Sequence, residues 1–282
     1  MPEEATNVRI TSADGVGLEL HDLGGNGPPV LVVHATGFCA GAYRPMAPIL
    51  TADHHVWALD VRAHGASDRP ADGDLSWRRV ADDVLAAVDA IGDGPVFGLG
   101  HSMGGACLAL AELERPGTLR AAYLFEPIII PDEWGEAPGS NPLAAAARRR
   151  RPSFGSRAEA LARYAGRPPL GVCRADALAA YVAHGFVDAP DGGVTLACTP
   201  DDEAATFEAP GKPTISQVHD LAIPVTVACG DRDALGPASF APAVAEAIDR
   251  GRLLRYRHLG HFGPFTDPDT VGEDALAAFA HA

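Results

Sequence analysis

The sequence has little of what would commit it to an oxidised, membrane-bound or nucleic-acid-binding setting. Its five cysteines, Cys39, Cys107, Cys173, Cys198 and Cys229, are an odd number with no CxxC spacing. That argues against both a disulfide framework and a zinc knuckle, and reduced thiols in a cytoplasmic protein are expected. No run of about 18 uncharged apolar residues occurs, so no membrane span is expected. The opening MPEEATNVRI lacks the basic and apolar regions of a signal peptide, and export is not expected. Positive charge is the minority: 22 Lys and Arg against 37 Asp and Glu give a formal net charge of -15. With the acidic residues scattered along the chain, polyanionic partners such as nucleic acid and anionic membrane surfaces are disfavoured.

What the chain does have is enough apolar residue, 47% of 282, to bury a substantial core. Short runs rich in valine and leucine alternate with helix-like segments, the pattern of a largely parallel sheet flanked by helices. VRITSADGVGLEL reads as a hairpin turning at Asp14-Gly15, and PPVLVVHA, HVWALDV, GPVFGLG, AAYLFEPIII, PVTVACG and LLRYRHLG read as six further strands. SWRRVADDVLAAVDAIG places Val80, Val84, Leu85, Val88 and Ile91 on one helical face, with Ser76 in the N-cap position. From about 132 to 216 the alternation breaks into Pro/Gly-rich pieces around short helices such as RAEALARYAG and RADALAAYVAHG. The expected organisation is therefore a core over 1–131 and 217–282, interrupted by a mostly helical lid over 132–216. The RRRR run at 148–151 reads as a solvated face of that lid.

Three motifs carry chemistry. GHSMG at 100–104 has the GxSxG form, in which glycines permit a sharp strand-to-helix turn that lifts the Ser102 hydroxyl above the sheet. A serine hydroxyl needs a base to take its proton as it attacks, and His261, in the loop GHFG after the last strand, is the candidate. His258 pairs with no third ligand at a recognisable spacing, so a metal site is not expected. The base in turn needs a carboxylate on its other nitrogen. Asp233, in CGDRDALGP, is preferred because it lies further into its loop than Asp231, and the chain order Ser, Asp, His is satisfied.

With DVRAHGASDRP after the preceding strand and HATGF at 34–38, these motifs resemble the α/β-hydrolase family, in its lid-bearing branch of esterases, lactonases, carbon-carbon bond hydrolases and cofactor-free haloperoxidases. The resemblance implies a mostly parallel eight-stranded sheet flanked by helices, with an inserted helical cap. It also implies an oxyanion hole formed by the backbone N–H groups of Met103 and Thr36, although Ala35 stands where the family usually has glycine. AYLFEPIIIPDEW is similar to the stretch in some haloalkane dehalogenases where a glutamate at the strand end is the acid, which makes Glu126 the alternative acid, a supporting group behind the triad or a substrate contact. Phe38, Trp134 and Phe262 are candidate substrate contacts. The function implied is hydrolysis of a carboxylic ester or lactone of a small, largely apolar substrate through an acyl-enzyme. Carbon-carbon bond hydrolysis or perhydrolysis is the alternative, and a receptor-like binding module is the non-enzymatic one. No cofactor or metal is expected, and the protein is expected to be a monomer or homodimer.

Overall fold

The computed structural model describes residues 7–92, 94–134, 141–190, 192–232 and 236–281. Among the described residues, eleven strands occur in chain order: β1 (Asn7–Thr11), β2 (Gly17–Gly24), β3 (Pro29–Val33), β4 (His55–Asp60), β5 (Val96–His101), β6 (Leu119–Phe125), β7 (Ser153–Phe154), β8 (Phe186–Asp188), β9 (Val194–Leu196), β10 (Val225–Gly230) and β11 (Gly251–Tyr256). Ten helices accompany them: α1 (Ala47–Leu50), α2 (Trp77–Ile91), α3 (Met103–Glu114), α4 (Pro142–Arg148), α5 (Arg157–Ala165), α6 (Ala175–His184), α7 (Pro200–Glu208), α8 (Pro237–Ala247), α9 (Gly263–Thr266) and α10 (Pro268–Phe279). Eight strands form one sheet in the order β1-β2-β4-β3-β5-β6-β10-β11. β1 and β2 run antiparallel to their neighbours, and every pairing from β4 to β11 is parallel. This is the mostly parallel eight-stranded sheet flanked by helices that the motif resemblance implies.

The parallel strands are buried on both faces, which is why they read as nearly continuous apolar runs. Successive residues serve two separate cores: Leu31 and Val33 point into one with α2, α3 and α8, while Val30 and Val32 point into the other with Tyr43, Met46 and α10. Each fully buried side chain of this kind contributes about 1.5–3 kcal/mol of transfer free energy. The amphipathic face read for α2 is present: Val80, Val84 and Val88 are buried, with Leu85 and Ile91 packed at its edge. Ser76 takes the N-cap position without a side-chain cap bond. Its own N–H is instead held by Asp74 Oδ1 at 2.9 Å. The outer strands β1 and β11 are the exposed ones and carry Arg9, Arg252 and Arg255, charges that discourage edge-to-edge pairing.

Strand order fixes where a site can form. The chain runs from β3 to β4 on one side, then returns across β3 to β5 on the other. The loops leaving the carboxyl ends of β3 and β5 therefore diverge, and ligands bind in the crevice such a reversal leaves. Those two loops are His34–Phe38 and the turn at Ser102.

Between β6 and β10 the chain forms α4 to α7 and a second sheet, antiparallel, in the order β7-β9-β8. The small sheet adds to a mostly helical insertion; two- and three-residue strands are too short to show an alternating pattern in sequence. α6 lies on the 3-10 turn Ala40–Met46, where a Cβ on Gly41 would collide with the His184 ring. All five cysteines are unpaired. Among the described residues, no helix is long and apolar enough to cross a membrane.

Candidate active site

β5 ends at His101, and the chain turns into α3 through Ser102, whose φ of 55° and ψ of -117° lie outside the regions comfortable for a side-chain-bearing residue. Glycines on either side make the turn possible. A Cβ on Gly100 would lie 2.5 Å from Gly105 Cα, and one on Gly104 would collide with the Val33 carbonyl, so β3, β5 and α3 approach only because neither has one. The strained turn is held by backbone bonds: Ser102 N–H donates to Phe125 O (2.9 Å), and its carbonyl accepts from Ala106 N–H (3.2 Å) and Ile128 N–H (3.2 Å). Ser102 is 6% exposed.

His261 follows β11 in the loop before α9 and is part-exposed. Its Nδ1 lies 2.7 Å from Oε2 of Glu126. Glu126 is fully buried, immediately after β6, with φ of 43°. Its other oxygen, Oε1, accepts from Gly230 N–H at 2.9 Å, and its own N–H donates to Ala228 O at 2.8 Å. A carboxylate only accepts, so it holds the His261 proton on Nδ1 and leaves Nε2 with a lone pair, the state a general base requires. The acid preferred from sequence, Asp233, lies outside the described residues. The carboxylate found on His261 Nδ1 is the alternative, Glu126. Asp231, beside Asp233 in sequence, is turned outward and paired with Arg255 at 2.8 Å.

The His261 loop is tied to the serine turn and to the loop after β3 by one chain of hydrogen bonds. His101 Nε2–H donates to His261 O (2.8 Å), so its Nδ1 is an acceptor and receives the Tyr43 hydroxyl proton (2.8 Å). Tyr43 Oη in turn accepts from Ala35 N–H (3.2 Å). The His101 and His261 rings lie 5.0 Å apart. Burial holds the His101 pKa well below the ordinary histidine value, and its neutral form is the one this chain needs. His101 is thus a bridge as well as a packed ring.

Several backbone polar groups of the loop His34–Phe38 are committed, at Ala35, Gly37 and Phe38. His34 Nδ1–H donates to Ala35 O (2.8 Å) while its Nε2 accepts from Val61 N–H (3.2 Å). Phe38 N–H also donates to Ala35 O (3.1 Å). His64 Nδ1–H donates to Arg62 O (2.9 Å), and its Nε2 accepts from Gly37 N–H (3.1 Å). Burial pushes His34 down to about 3 and lowers His64, so both act as neutral rings with one donor and one acceptor. The left-handed position of the loop is Gly37, with φ of 77°, and Ala35 is not among the residues at positive φ. Alanine therefore replaces glycine at position 35 without backbone strain. Thr36 Oγ1 donates to Met103 Sδ at 3.4 Å, so the two residues expected to supply the oxyanion donors touch through their side chains. Neither the Thr36 nor the Met103 backbone N–H meets an acceptor among the described residues.

Phe38, Phe262 and Phe265 form an aromatic wall beside His261 and His101, with Phe38 to Phe262 ring centroids 5.9 Å apart and Phe38 to Phe265 stacked at 4.4 Å. Trp134 is not part of that wall. It is 55% exposed and packs its ring against Phe240 at the start of α8, 4.8 Å away. Sequence reasoning missed Arg150. The RRRR run was expected to be a solvated face, which holds for Arg148, paired on the surface with Glu208. Arg150 instead turns inward onto Glu203 and onto Tyr181 Oη at 2.6 Å, and Tyr181 Oη donates to Gly37 O at 3.3 Å. The TPDDEAATF helix offered the available signal, an acidic residue in a segment otherwise able to bury one face.

The family model for the alpha/beta hydrolase fold matches residues 28–268. Human monoglyceride lipase is 32% identical over 150 residues, which cover 46% of this chain and 50% of that protein, so the chain spans about half the length of that relative. A non-heme chloroperoxidase from Streptomyces lividans is 28% identical over 279 residues, covering 95% of this chain and 98% of that one. Among solved structures, an E-2-(acetamidomethylene)succinate hydrolase superposes with a TM-score of 0.82 at 19% identity over 99% of this chain and 100% of that one, a likeness of fold. With its strand order, its serine turn between β5 and α3 and a family match over residues 28–268, the chain belongs to the α/β-hydrolase fold family.

Proposed function

We propose that the protein is a serine hydrolase that cleaves a carboxylic ester or lactone of a small, largely apolar substrate through an acyl-enzyme. The observation that carries this reading is the 2.7 Å contact of His261 Nδ1 with the fully buried Glu126 carboxylate, in a loop that His101 binds to the serine turn. His261 Nε2 takes the Ser102 proton as the hydroxyl oxygen attacks the carbonyl carbon, and the resulting oxyanion is received by the N–H groups of Thr36 and Met103. Collapse breaks the ester C–O bond, and the leaving alkoxide takes the proton from His261. Water then repeats the sequence on the acyl-enzyme, giving the acid and free Ser102. Glu126 serves as the acid in both halves, holding the tautomer and stabilising the imidazolium.

Phe38 and Phe262 supply an apolar wall suited to an uncharged substrate. Arg150, a cation close to the loop after β3, is already neutralised by Glu203, which favours a neutral ester over a substrate carboxylate. The likeness to a protein named as a lipase supports the ester reading. The nearly full-length likeness to a chloroperoxidase favours perhydrolysis as the second reading, with hydrogen peroxide replacing water in the second half. The unpaired cysteines support a cytoplasmic, reducing setting.

The test is fluorophosphonate labelling mapped by mass spectrometry, with hydrolysis of short p-nitrophenyl esters. Labelling at Ser102, and activity lost in Ser102→Ala and His261→Ala, are expected; labelling elsewhere overturns the mechanism. Peroxide-dependent halogenation exceeding ester hydrolysis would favour the second reading.

A further inference from the structure

Arg150, Tyr181 and Glu203 come from three separate parts of the inserted segment: the turn after α4, α6 and α7. They meet at one peptide of the loop after β3. Arg150 Nη2 donates to Tyr181 Oη at 2.6 Å, and the hydroxyl's single proton goes to Gly37 O at 3.3 Å. Tyr181 is 3% exposed, and its ring packs 5.0 Å from that of Phe38. Glu203 presses on the same residue from the other side: a Cβ on Gly37 would lie 2.6 Å from Glu203 Oε1. Arg150 Nη1 is bonded to Glu203 Oε2.

We infer that Arg150 and Tyr181 are positioning residues for the reaction, holding the Gly37 carbonyl so that the inserted segment restrains the loop from which Thr36 presents its N–H. The inference rests on the serine-hydrolase reading above. Two physical arguments support it. First, His64 holds the N–H of residue 37 and Tyr181 holds its carbonyl, so the residue after Thr36 is clamped at both ends, once from the core and once from the inserted segment. A donor aimed at a developing charge is effective only when held in place before the charge appears. Second, a carboxylate beside an oxyanion site opposes the charge that must form there. Arg150 cancels the Glu203 charge and strengthens the Tyr181 bond by polarising its hydroxyl. The packing alone would require neither a cation nor a hydroxyl at these positions.

Tyr181→Phe keeps the ring and removes the clamp. With p-nitrophenyl butyrate as probe, kcat is expected to fall 10- to 100-fold with KM within threefold. Inhibition by an aliphatic trifluoromethyl ketone, whose serine adduct carries an oxyanion, should weaken by the same factor. Arg150→Met should behave alike, Arg150→Lys should recover part of the loss, and adding Glu203→Gln to Arg150→Met should raise kcat above that of Arg150→Met alone. If Tyr181→Phe does not fold, the Arg150→Met and Arg150→Lys comparison carries the same test. A Tyr181→Phe enzyme with a lowered melting temperature but unchanged kcat and ketone affinity, in a protein whose Ser102 is labelled by fluorophosphonate, overturns the inference alone. A wild-type protein whose Ser102 is not labelled overturns the serine-hydrolase reading and the inference with it.

Discussion

Replacing Glu126 by glutamine tests the acid without changing its shape. The buried carboxylate makes two contacts, accepting from Gly230 N–H at 2.9 Å through Oε1 and from His261 Nδ1 at 2.7 Å through Oε2. The glutamine carbonyl can keep only one of them. With Gly230 satisfied, the amide NH2 faces Nδ1 of His261, and two donors cannot meet. The imidazole proton must move to Nε2, the nitrogen that has to receive the serine proton. In serine triads a swap of this kind lowers kcat by about 10,000-fold through the wrong tautomer, which is about 5 kcal/mol of transition-state stabilisation. We expect kcat on a p-nitrophenyl ester to fall about 1,000- to 10,000-fold in Glu126→Gln, with KM changed by no more than a few-fold because the residue is buried behind the histidine. Fluorophosphonate labelling of Ser102 should slow in parallel, with the far-ultraviolet circular dichroism unchanged. If Glu126→Gln retains kcat within threefold while Asp233→Asn shows the large loss, the acid belongs to the loop after β10 and the reasoning is wrong.

Gly37→Ala places a methyl group at φ of 77° and 2.6 Å from Glu203 Oε1; backbone strain of about 1–2 kcal/mol and a displaced loop should lower kcat at least tenfold, as steady-state hydrolysis would show. Arg62→Met leaves Asp83, which is fully buried and paired with Arg62 at 2.6 Å, without its cation; unfolding in urea should show a loss of about 3–5 kcal/mol. Acid should destabilise the protein through its buried neutral histidines. His34, lowered to about 3, and His64 and His101, also lowered, take up protons in the unfolded chain below about pH 6.5 but not in the folded one. Stability is then full above pH 6.5 and falls as pH drops toward the folded values, by about 1.4 kcal/mol per pH unit for each histidine. A melting temperature independent of pH between 7 and 4.5 would contradict this.

Much of this site was legible because its chemistry is written in local motifs. GHSMG fixes a strand, a strained turn and a helix within a few residues, and GHFG marks the one late histidine flanked by glycines. Strand positions followed from runs such as PPVLVV, which can only be buried on both faces. The acid is the part that sequence spacing leaves open, for a geometric reason. β6 and β10 are hydrogen-bonded neighbours, so the carboxyl ends of both open onto the same rim, and a carboxylate after either strand can face the histidine loop. Sequence spacing shows which residues reach that rim, not which one turns inward. Arg150 was hidden for a related reason: a run of four arginines has the composition of a surface, and only the fold brings Tyr181 and Glu203, 31 and 53 residues further along, to meet one of them.

The strain pattern bears on the proposed acid at the end of β6. Three residues other than glycine have positive φ, among the described residues: Ala63, Ser102 and Glu126. At about 1–2 kcal/mol each, such positions persist only where neighbours over-determine them. Two of the three brace each other. Ser102 N–H donates to Phe125 O, just before Glu126, and Ile128 N–H, just after Pro127, donates to Ser102 O. The turns at Ser102 and Glu126 are therefore stapled across adjacent strands by two backbone hydrogen bonds, and a shift of one carries the other with it. β10 stands one strand further from β5 than β6 does. Variants that relax the β6 turn, such as Pro127→Gly, should consequently slow fluorophosphonate labelling of Ser102 even with Glu126 intact. Unchanged labelling in that variant would mean that the two turns hold their shapes independently.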